Sequence, residues 1–510
     1  MKILDCTLRD GGYYTNWDFD KQQVDQYLEA CNDLPIDYIE IGYRSPVLKD
    51  YHGKYFYLPL YELQDLRKRS NKKLVIILNE KDVRVEHLEE LLRPIVGLVD
   101  MVRMAIDPNN LRRAIELAKA VKTYGFEVGF NVMYMSKWKD NLEFIDALGE
   151  VDGVADYFYM VDSYGGVFPQ DVKDIIDLVR SKTTCPLGFH GHDNLELALV
   201  NTLTAIENGV EIVDATILGM GRGAGNLKTE LLLTVLNKEN KFDLDFTALE
   251  SAVSAISPLL EEYQWGTNLP YMISGSNSLP QKDVMDWVST RFYSLNTIVR
   301  ALDNQSNKIK DNEQFSVAEF QHFNKVLVVG GGPSVGVHKD GLLDYLKRNP
   351  EVAIIHASSK NAAFFKELEN KQFFCLVGNE GKRLEKTFKS LAGFNGVCIM
   401  PPFPRKMGTY VPDVIRDQTF ELDQINVSDQ YLDAHTTLAL QIADNIKAST
   451  VYVVGYDGYK DMVITEKEKN LNEENAFLFN KFSNHLDGEM FSLTPSYYSF
   501  LDVKSIYSLI

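Results

Sequence analysis

Asp10, His190, His192 and Asn226 are the residues of this chain whose types and spacing best suit chemistry, because together they read as the ligands of one divalent cation. They fall in two segments, LDCTLRDGG (4–12) and FHGHDNLELALVN…LGMGRGAGNLKTE (189–230), and in each the polar group stands where an apolar run ends. A His-x-His on a strand turns both imidazoles to one face, since side chains alternate with period two. Two imidazoles and a carboxylate leave coordination positions open, as a catalytic metal requires. A lone His-x-His is more often a pair of half-buried histidines, but TLRD and GRGAGNLKTE beside it turn the balance towards ligands. Such an oxygen-rich set suits Mg2+ or Mn2+, and two histidines tilt it towards Mn2+.

Residues so far apart need a scaffold, and residues 1–300 carry the pattern of one. Eight apolar, β-branched runs recur: KILDCTL (2–8), IDYIEIG (36–42), KLVIIL (73–78), LVDMVRMAI (98–106), FEVGFNVMYM (126–135), DYFYMVD (156–162), PLGFHGH (186–192) and VEIVDATIL (210–218). Helix-like stretches lie between them, among them 22–33, 85–96, 109–125, 169–182 and 195–209. Alternation of strand and helix implies parallel βαβ units, and near-continuous apolar runs suit strands covered on both faces. Eight such units close a (β/α)8 barrel, whose chemistry is built at the C-terminal ends of the strands. A doubly wound open sheet is the alternative. The count of eight and the polar residues ending strands 1, 2, 6, 7 and 8 favour the barrel.

Composition bounds the function classes. A formal net charge of -19 argues against nucleic acid or an anionic membrane as partner. Five scattered cysteines with no CxxC read as packed thiols rather than disulfides, with Cys6 and Cys185 placed in barrel strands. No apolar stretch is long enough to span a membrane and the start lacks a basic-then-apolar signal, so cytoplasm is the expected address.

Residues 301–324 lose apolar periodicity and gain Asn, Gln and Lys, which marks them as a linker. After it, residues 325–510 show a second α/β rhythm, Rossmann-like, with apolar strands at 325–329, 351–358, 372–378, 396–400 and 449–457. Gly330, Gly331 and Gly332 follow the first of these strands, where backbone N–H groups could cradle a phosphate. The spacing GGGPS is not GxGxxG, so a tight βα turn is the reading the residues favour.

TLRDGGYYTNWDF, FHGHDNLELALVN and GMGRGAGNLKTE, in that order, resemble the DRE-TIM metallolyase superfamily, and within it the 4-hydroxy-2-oxovalerate aldolase-like branch. The resemblance spans about residues 1–300. It implies a metal held by Asp10, His190 and His192, with Asn226 as a further ligand, and an Arg9 that steadies the enolate oxygen. It places a late tyrosine at Tyr271. One position departs. The aldolases carry a histidine as general base two residues after the TLRDG glycine, and this chain has Tyr13. A phenol, titrating near about 10, is a poorer base at neutral pH. Either Tyr13 relays the proton or another group does, and His52 in YHGKY is the other candidate, weighed against a solvated loop histidine.

Residues 325–510 resemble, more weakly, the α/β domain of sialyltransferase-like and DUF115-type proteins, through VLVVGGGPSV and HTTLALQIA…VYVVGYDGY. That resemblance implies a ligand near Gly330, Gly331, Gly332, Ser334 and Asp457, with His435 and Thr436 close by, and a carbohydrate-like product or acceptor.

Making or breaking a C–C bond beside a ketone needs a stabilised enolate, supplied by a lysine imine or a metal. Strand 6 carries no lysine, nor do the inner parts of strands 5, 7 and 8, so the imine route has no candidate. Glu40, closing strand 2, and Asp162–Ser163, closing strand 6, are expected to hold substrate or a water, against plain strand-end hydrogen bonding. Three function classes follow. The first is a metal-dependent aldolase joining pyruvate and an aldehyde into a 4-hydroxy-2-oxo acid. The second is an acyl-CoA lyase or Claisen-type synthase, disfavoured by the missing Gln after TLRDG and the missing cysteine in GMGRGAGN. The third is a non-catalytic barrel with a ligand-binding domain, disfavoured because no structural need calls for Asp10, His190 and His192. The expected partners are a small 2-keto acid and an aldehyde, and a homo-oligomer is compatible with this reading.

Overall fold

Each of the eight apolar runs forms a strand: β1 (Lys2–Asp5), β2 (Tyr38–Tyr43), β3 (Lys73–Asn79), β4 (Met101–Ile106), β5 (Glu127–Val132), β6 (Tyr157–Asp162), β7 (Leu187–Gly191) and β8 (Ile212–Ala215). They close in chain order, with β1 pairing in parallel to both β2 and β8. The computed structural model describes residues 1–49, 51–290, 295–309, 314–405, 407–459 and 466–510.

The barrel helices follow from local signals. Helix Lys21–Asp33 starts where Asp20 accepts hydrogen bonds from the Gln22 and Gln23 amides. Helix Pro169–Arg180 opens on its proline and buries Val172, Ile175, Ile176 and Val179, one stripe at helical spacing. The stretch expected as one helix over 85–96 is three short pieces, Val85–His87, Leu88–Leu92 and Arg93–Ile95, because Pro94 has no amide to continue the ladder.

The expectation that strand 1 runs to Leu8 is corrected. β1 stops at Asp5, and TLRDGGYYT forms a helix of its own, α1 (Thr7–Thr15). Asp5 causes the turn: its buried carboxylate accepts from the Thr7 amide (2.9 Å), the Tyr27 hydroxyl (2.5 Å) and the Thr229 hydroxyl (2.6 Å). Arg9 and Asp10 therefore stand on a helix laid across the end of β1. Cys6 lies just beyond β1 and Cys185 just before β7, not within the strands. All five cysteines are free and buried.

The chain divides into Met1–Met285 and Asp286–Ile510. That boundary precedes the expected linker, and the span's first six residues end the helix Leu295–Ser306. The polar look of ALDNQS conceals one apolar stripe, since Ile298, Ala301 and Leu302 are buried. Residues 310–313 of the expected linker lie outside the described residues.

The second unit is a parallel sheet of β9 (Lys325–Val329), β10 (Ala353–His356), β11 (Gln372–Cys375), β12 (Val397–Met400), β13 (Thr419–Glu421), β14 (Thr450–Val454), β15 (Glu489–Ser492) and β16 (Asp502–Val503). The order is β13-β12-β11-β10-β9-β14-β15-β16, so the winding reverses between β9 and β14. Alternate residues face two separate cores, Val326 and Val328 towards one and Leu327 and Val329 towards the other. The sequence did not announce β13, β15 or β16, whose two to four residues are too short to show a pattern. Among the described residues no helix is long and apolar enough to cross a membrane.

Candidate metal centre and active site

Six side chains form a closed ring of charge inside the barrel. Arg9 on α1 bonds Asp10 through Nη1 and Glu40 through Nε (2.7 Å). Glu40 on β2 accepts from Arg103 Nη1 (3.1 Å), and Arg103 on β4 reaches Asp214 on β8 (2.6 Å). Asp214 holds Nδ1 of His190 on β7 (2.8 Å), whose Nε2 faces the Asp10 carboxylate at 3.7 Å. Every member is buried. Arg103 also lies over the Tyr159 ring, 4.0 Å from its centre, and bonds Asn131 (2.5 Å).

The ring fixes how the imidazoles point. Asp214 occupies His190 Nδ1, and the carbonyl oxygen of Asp162 occupies His192 Nδ1 (2.8 Å). Each Nε2 is then the nitrogen left for a ligand, an arrangement in which outer partners orient metal-binding histidines. The two rings lie 5.0 Å apart and nearly perpendicular. Burial, and then the neighbouring His190, push His192 down to about 3, so it is a neutral imidazole with a free lone pair at pH 7. Burial pushes the Asp10 carboxyl up, but Arg9 and the two histidines outweigh it and hold it below the ordinary carboxylate range.

Asn226 joins through the loop after β8. Its backbone bridges His192, its Nδ2 bonds Asp10 (2.7 Å), and its buried Oδ1 has no partner. The loop fits this tightly because it is built of glycines. Gly223 and Gly225 hold positive φ (70° and 84°), and a side chain at Gly221 would strike the Asn226 amide. Thr229 ties the loop's far end to Asp5 on β1.

The donor set fits a divalent cation. Within the ring two guanidiniums face three carboxylates, one carboxylate in excess, with Arg222 a further cation in range of Asp10. Asn226 Oδ1 is the matching orphaned acceptor. Among the described residues, the His, Cys, Asp and Glu ligand atoms that lie within 4.8 Å of one another are those of Cys6, His190 and Asp214. Burial pushes the Cys6 thiol well up, so it stays protonated, and His190 Nδ1 is spent on Asp214.

The other expected residues separate. Arg9 keeps one buried nitrogen, Nη2, without a partner. Glu40 is anchored on Arg9 and Arg103, beside a register shift in β2 at Glu40/Gly42 of the kind that re-aims side chains. Asp162 spends its carboxylate on the Gly166 and Val167 amides, and burial pushes it up to about 6. Ser163 Oγ accepts from the Tyr134 amide. For both, strand-end hydrogen bonding is what the geometry displays. Tyr13 meets Tyr43, hydroxyl to hydroxyl, at 3.3 Å and packs edge-on against Trp17. His52 stacks on the same indole, 5.7 Å from Trp17, and meets Phe56 edge-on at 4.2 Å, with no direct hydrogen bond or ring contact to Tyr13. Trp17 thus lies in contact with both Tyr13 and His52. Tyr271, in the helix Leu269–Ser276, is buried beside Gly223.

In the second unit, Gly330–Gly332 and Asp457 follow β9 and β14, at the reversal of the sheet. Both Asp457 oxygens are taken by Ser334, through its amide (3.0 Å) and its hydroxyl. Gly330 and Gly332 press on the Gly455 carbonyl, too closely for a side chain. The glycines there serve a close approach of two loops. His435 lies on another element, at the start of the helix His435–Asn445, within 3.5 Å of Glu380. Thr436 bonds Asn475.

Arg103 and Asp214 escaped the sequence reading. The signal was present: each is a lone charge inside an otherwise apolar strand.

The HMGL-like family model matches residues 101–256. A 4-hydroxy-2-oxovalerate aldolase of Geobacillus genomosp. 3 is 30% identical over 267 residues, 51% of this chain and 78% of that protein. One from Bacillus cereus strain 03BB102 is 30% identical over 284 residues, 52% of this chain and 80% of that protein. The crystal structure of the N-terminal domain of a "putative aldolase" from Bacteroides vulgatus superposes with a TM-score of 0.57 and 59% identity, over 59% of this chain and all of that one.

Proposed function

Because the chain belongs through its barrel to the HMGL-like family of DRE-TIM metallolyases, we propose that it is a divalent-metal-dependent aldolase that joins the enolate of pyruvate to an aldehyde, or reverses that reaction, through a 4-hydroxy-2-oxo acid. The observation that carries this reading is the buried ring with one carboxylate in excess and two imidazoles whose Nε2 atoms are left for a ligand. Asp10, His190, His192 and Asn226 would hold the cation, Mn2+ or Mg2+. A cation bound there would supply Lewis acidity to the ketone of a 2-keto acid.

The chain's own residues do the rest. Arg9 is fixed by Asp10 and Glu40, and its spare Nη2 donates to the oxygen on which enolate charge develops. Glu40 and Arg103 pre-set that guanidinium, so no reorganisation is needed when the charge appears. Tyr13 Oη holds the hydroxyl that the aldehyde becomes. Burial keeps the Tyr43 phenol protonated, and its hydroxyl meets that of Tyr13 at 3.3 Å, which orients the Tyr13 phenol. Tyr14 pins the glycine loop by donating to the Gly223 carbonyl (3.2 Å), which closes the rim around them.

The test is exchange of pyruvate methyl protons with D2O, followed by NMR with and without Mn2+. Metal-dependent exchange is expected. Absence of exchange with pyruvate and every other 2-keto acid tried would overturn the aldolase reading and direct attention to acyl-CoA substrates.

A further inference from the structure

Arg222 is a guanidinium that the ring of charge does not use. It stands in the loop after β8, between Gly221 and Gly223, and is partly buried. Its guanidinium lies over the Tyr13 ring, 4.7 Å from the centre. Among the described residues it forms no ion pair and no side-chain hydrogen bond. That is unusual for a partly buried arginine, whose five donors are normally spent on carboxylates, carbonyls or solvent. In a chain with a net charge of -19, acidic partners are abundant, yet none reaches it.

Its surroundings say what it faces. Tyr13, Tyr43, Tyr134 and the Asp10 carboxylate all lie within range of its charge. Tyr134 lines a cavity of about 240 Å³ that opens where β4, β5 and β6 end, together with Asp107, Asn109, Lys137, Asn141 and Tyr164. Lys137 donates to the Tyr164 hydroxyl (2.9 Å) and sets one positive charge in that wall against the Asp107 carboxylate. Tyr134 is held in the left-handed region (φ 62°) by the Ser163 hydroxyl, so the wall is fixed. Arg9 already serves the keto acid at the ring. Arg222 stands over the ring of Tyr13, the residue proposed above to hold the hydroxyl that the aldehyde becomes, and so lies beside the second substrate.

We infer that the aldehyde partner carries an anionic group, a phosphate or a carboxylate, and that Arg222 is the residue that reads it. This rests on the aldolase reading above. The shared chemistry is a planar or tetrahedral oxyanion taken by two guanidinium N–H groups.

The experiment has a binding arm and a turnover arm. Isothermal calorimetry with unreactive probes, glycerol 3-phosphate and succinate against glycerol and 1,4-butanediol, is run on the full-length metal-loaded protein and on Arg222→Met. The wild type is expected to bind at least one anionic probe and the variant to bind it about 10- to 100-fold more weakly. The turnover arm compares kcat/KM for D-glyceraldehyde 3-phosphate with D-glyceraldehyde, and for succinate semialdehyde with butanal. The charged member of at least one pair should lead by about 10- to 100-fold, and that ratio should fall towards one in Arg222→Met. Which pair leads separates phosphate from carboxylate. Arg222→Lys should keep part of the ratio, and it stands in should the Met variant fail to fold. A ratio near one in the wild type, or an unchanged ratio in Arg222→Met, overturns the inference. So does an Arg222→Met effect confined to the KM of pyruvate, which would assign the arginine to the keto acid. Absence of pyruvate exchange in the wild type would defeat the aldolase reading instead, and the binding arm would still decide whether Arg222 holds an anion.

Discussion

Arg103 shows how much of a catalytic site is electrostatic support. It touches no proposed substrate, yet it joins Glu40 to Asp214 and so fixes both Arg9 and His190. Removing one partner of a buried ion pair leaves uncompensated charge and costs about 3–5 kcal/mol. Arg103→Leu should lower the stability of the barrel by that order, read as a shift of its urea midpoint. Tyr13→Phe belongs to the opposite class. It removes a hydroxyl from the side where the aldehyde binds, so aldol cleavage should fall by about 10²–10⁴-fold while pyruvate proton exchange stays within a few-fold. Equal loss of both, measured by coupled cleavage assay and NMR, would move Tyr13 to the keto acid. At this scale the sequence was informative where a motif carried the residue, as with Asp10, His190 and Asn226, which do meet in space. It was mute where partners lie on different strands. Arg103 is an isolated charge in VRMAI until the barrel closes and brings Glu40 and Asp214 against it. The surroundings of His52 were hidden for a related reason, because its stack on Trp17 and its edge-on contact with Phe56 leave no local sequence trace.

At the scale of elements, the strands of both units were legible because buried parallel strands are continuous apolar runs. Their ends were not. TLRDGG reads as the tail of a strand, and only the Asp5–Thr229 and Asp5–Tyr27 bonds, both distant in sequence, reveal why the chain turns into α1 there. β10 offers a testable consequence of its own burial. His356 stacks on Phe374 (4.4 Å), and its Nε2 bonds Gln372 (2.8 Å). Burial pushes it down to about 4, from 6.5. The unfolded chain therefore takes up a proton first as pH falls. Stability is full above about 6.5 and is lost progressively down to about 4, by roughly 3 kcal/mol in total. Denaturant unfolding of the second unit at pH 7, 5.5 and 4.5 should show that loss, and His356→Gln should flatten the slope in that window. An unchanged slope would mean that His356 titrates alike in both states.

For the whole molecule, two units with separate cores should unfold in two calorimetric transitions. They differ in one respect. Among the described residues the candidate metal ligands all lie in the barrel, so on the proposed reading its transition alone should respond to metal. A ligand at about 100 times its Kd adds about 2.7 kcal/mol. Stripping with EDTA should lower the barrel's transition by several degrees and leave the other where it was, and Mn2+ should restore it. Movement of both transitions together, or of neither, would contradict the placement of the ion. An ion held there would be a folding partner as much as a reagent. Protein made in metal-starved cells would open its barrel more often and be cut there first by proteases, so the amount of enzyme, and not only its turnover, would follow the supply of metal.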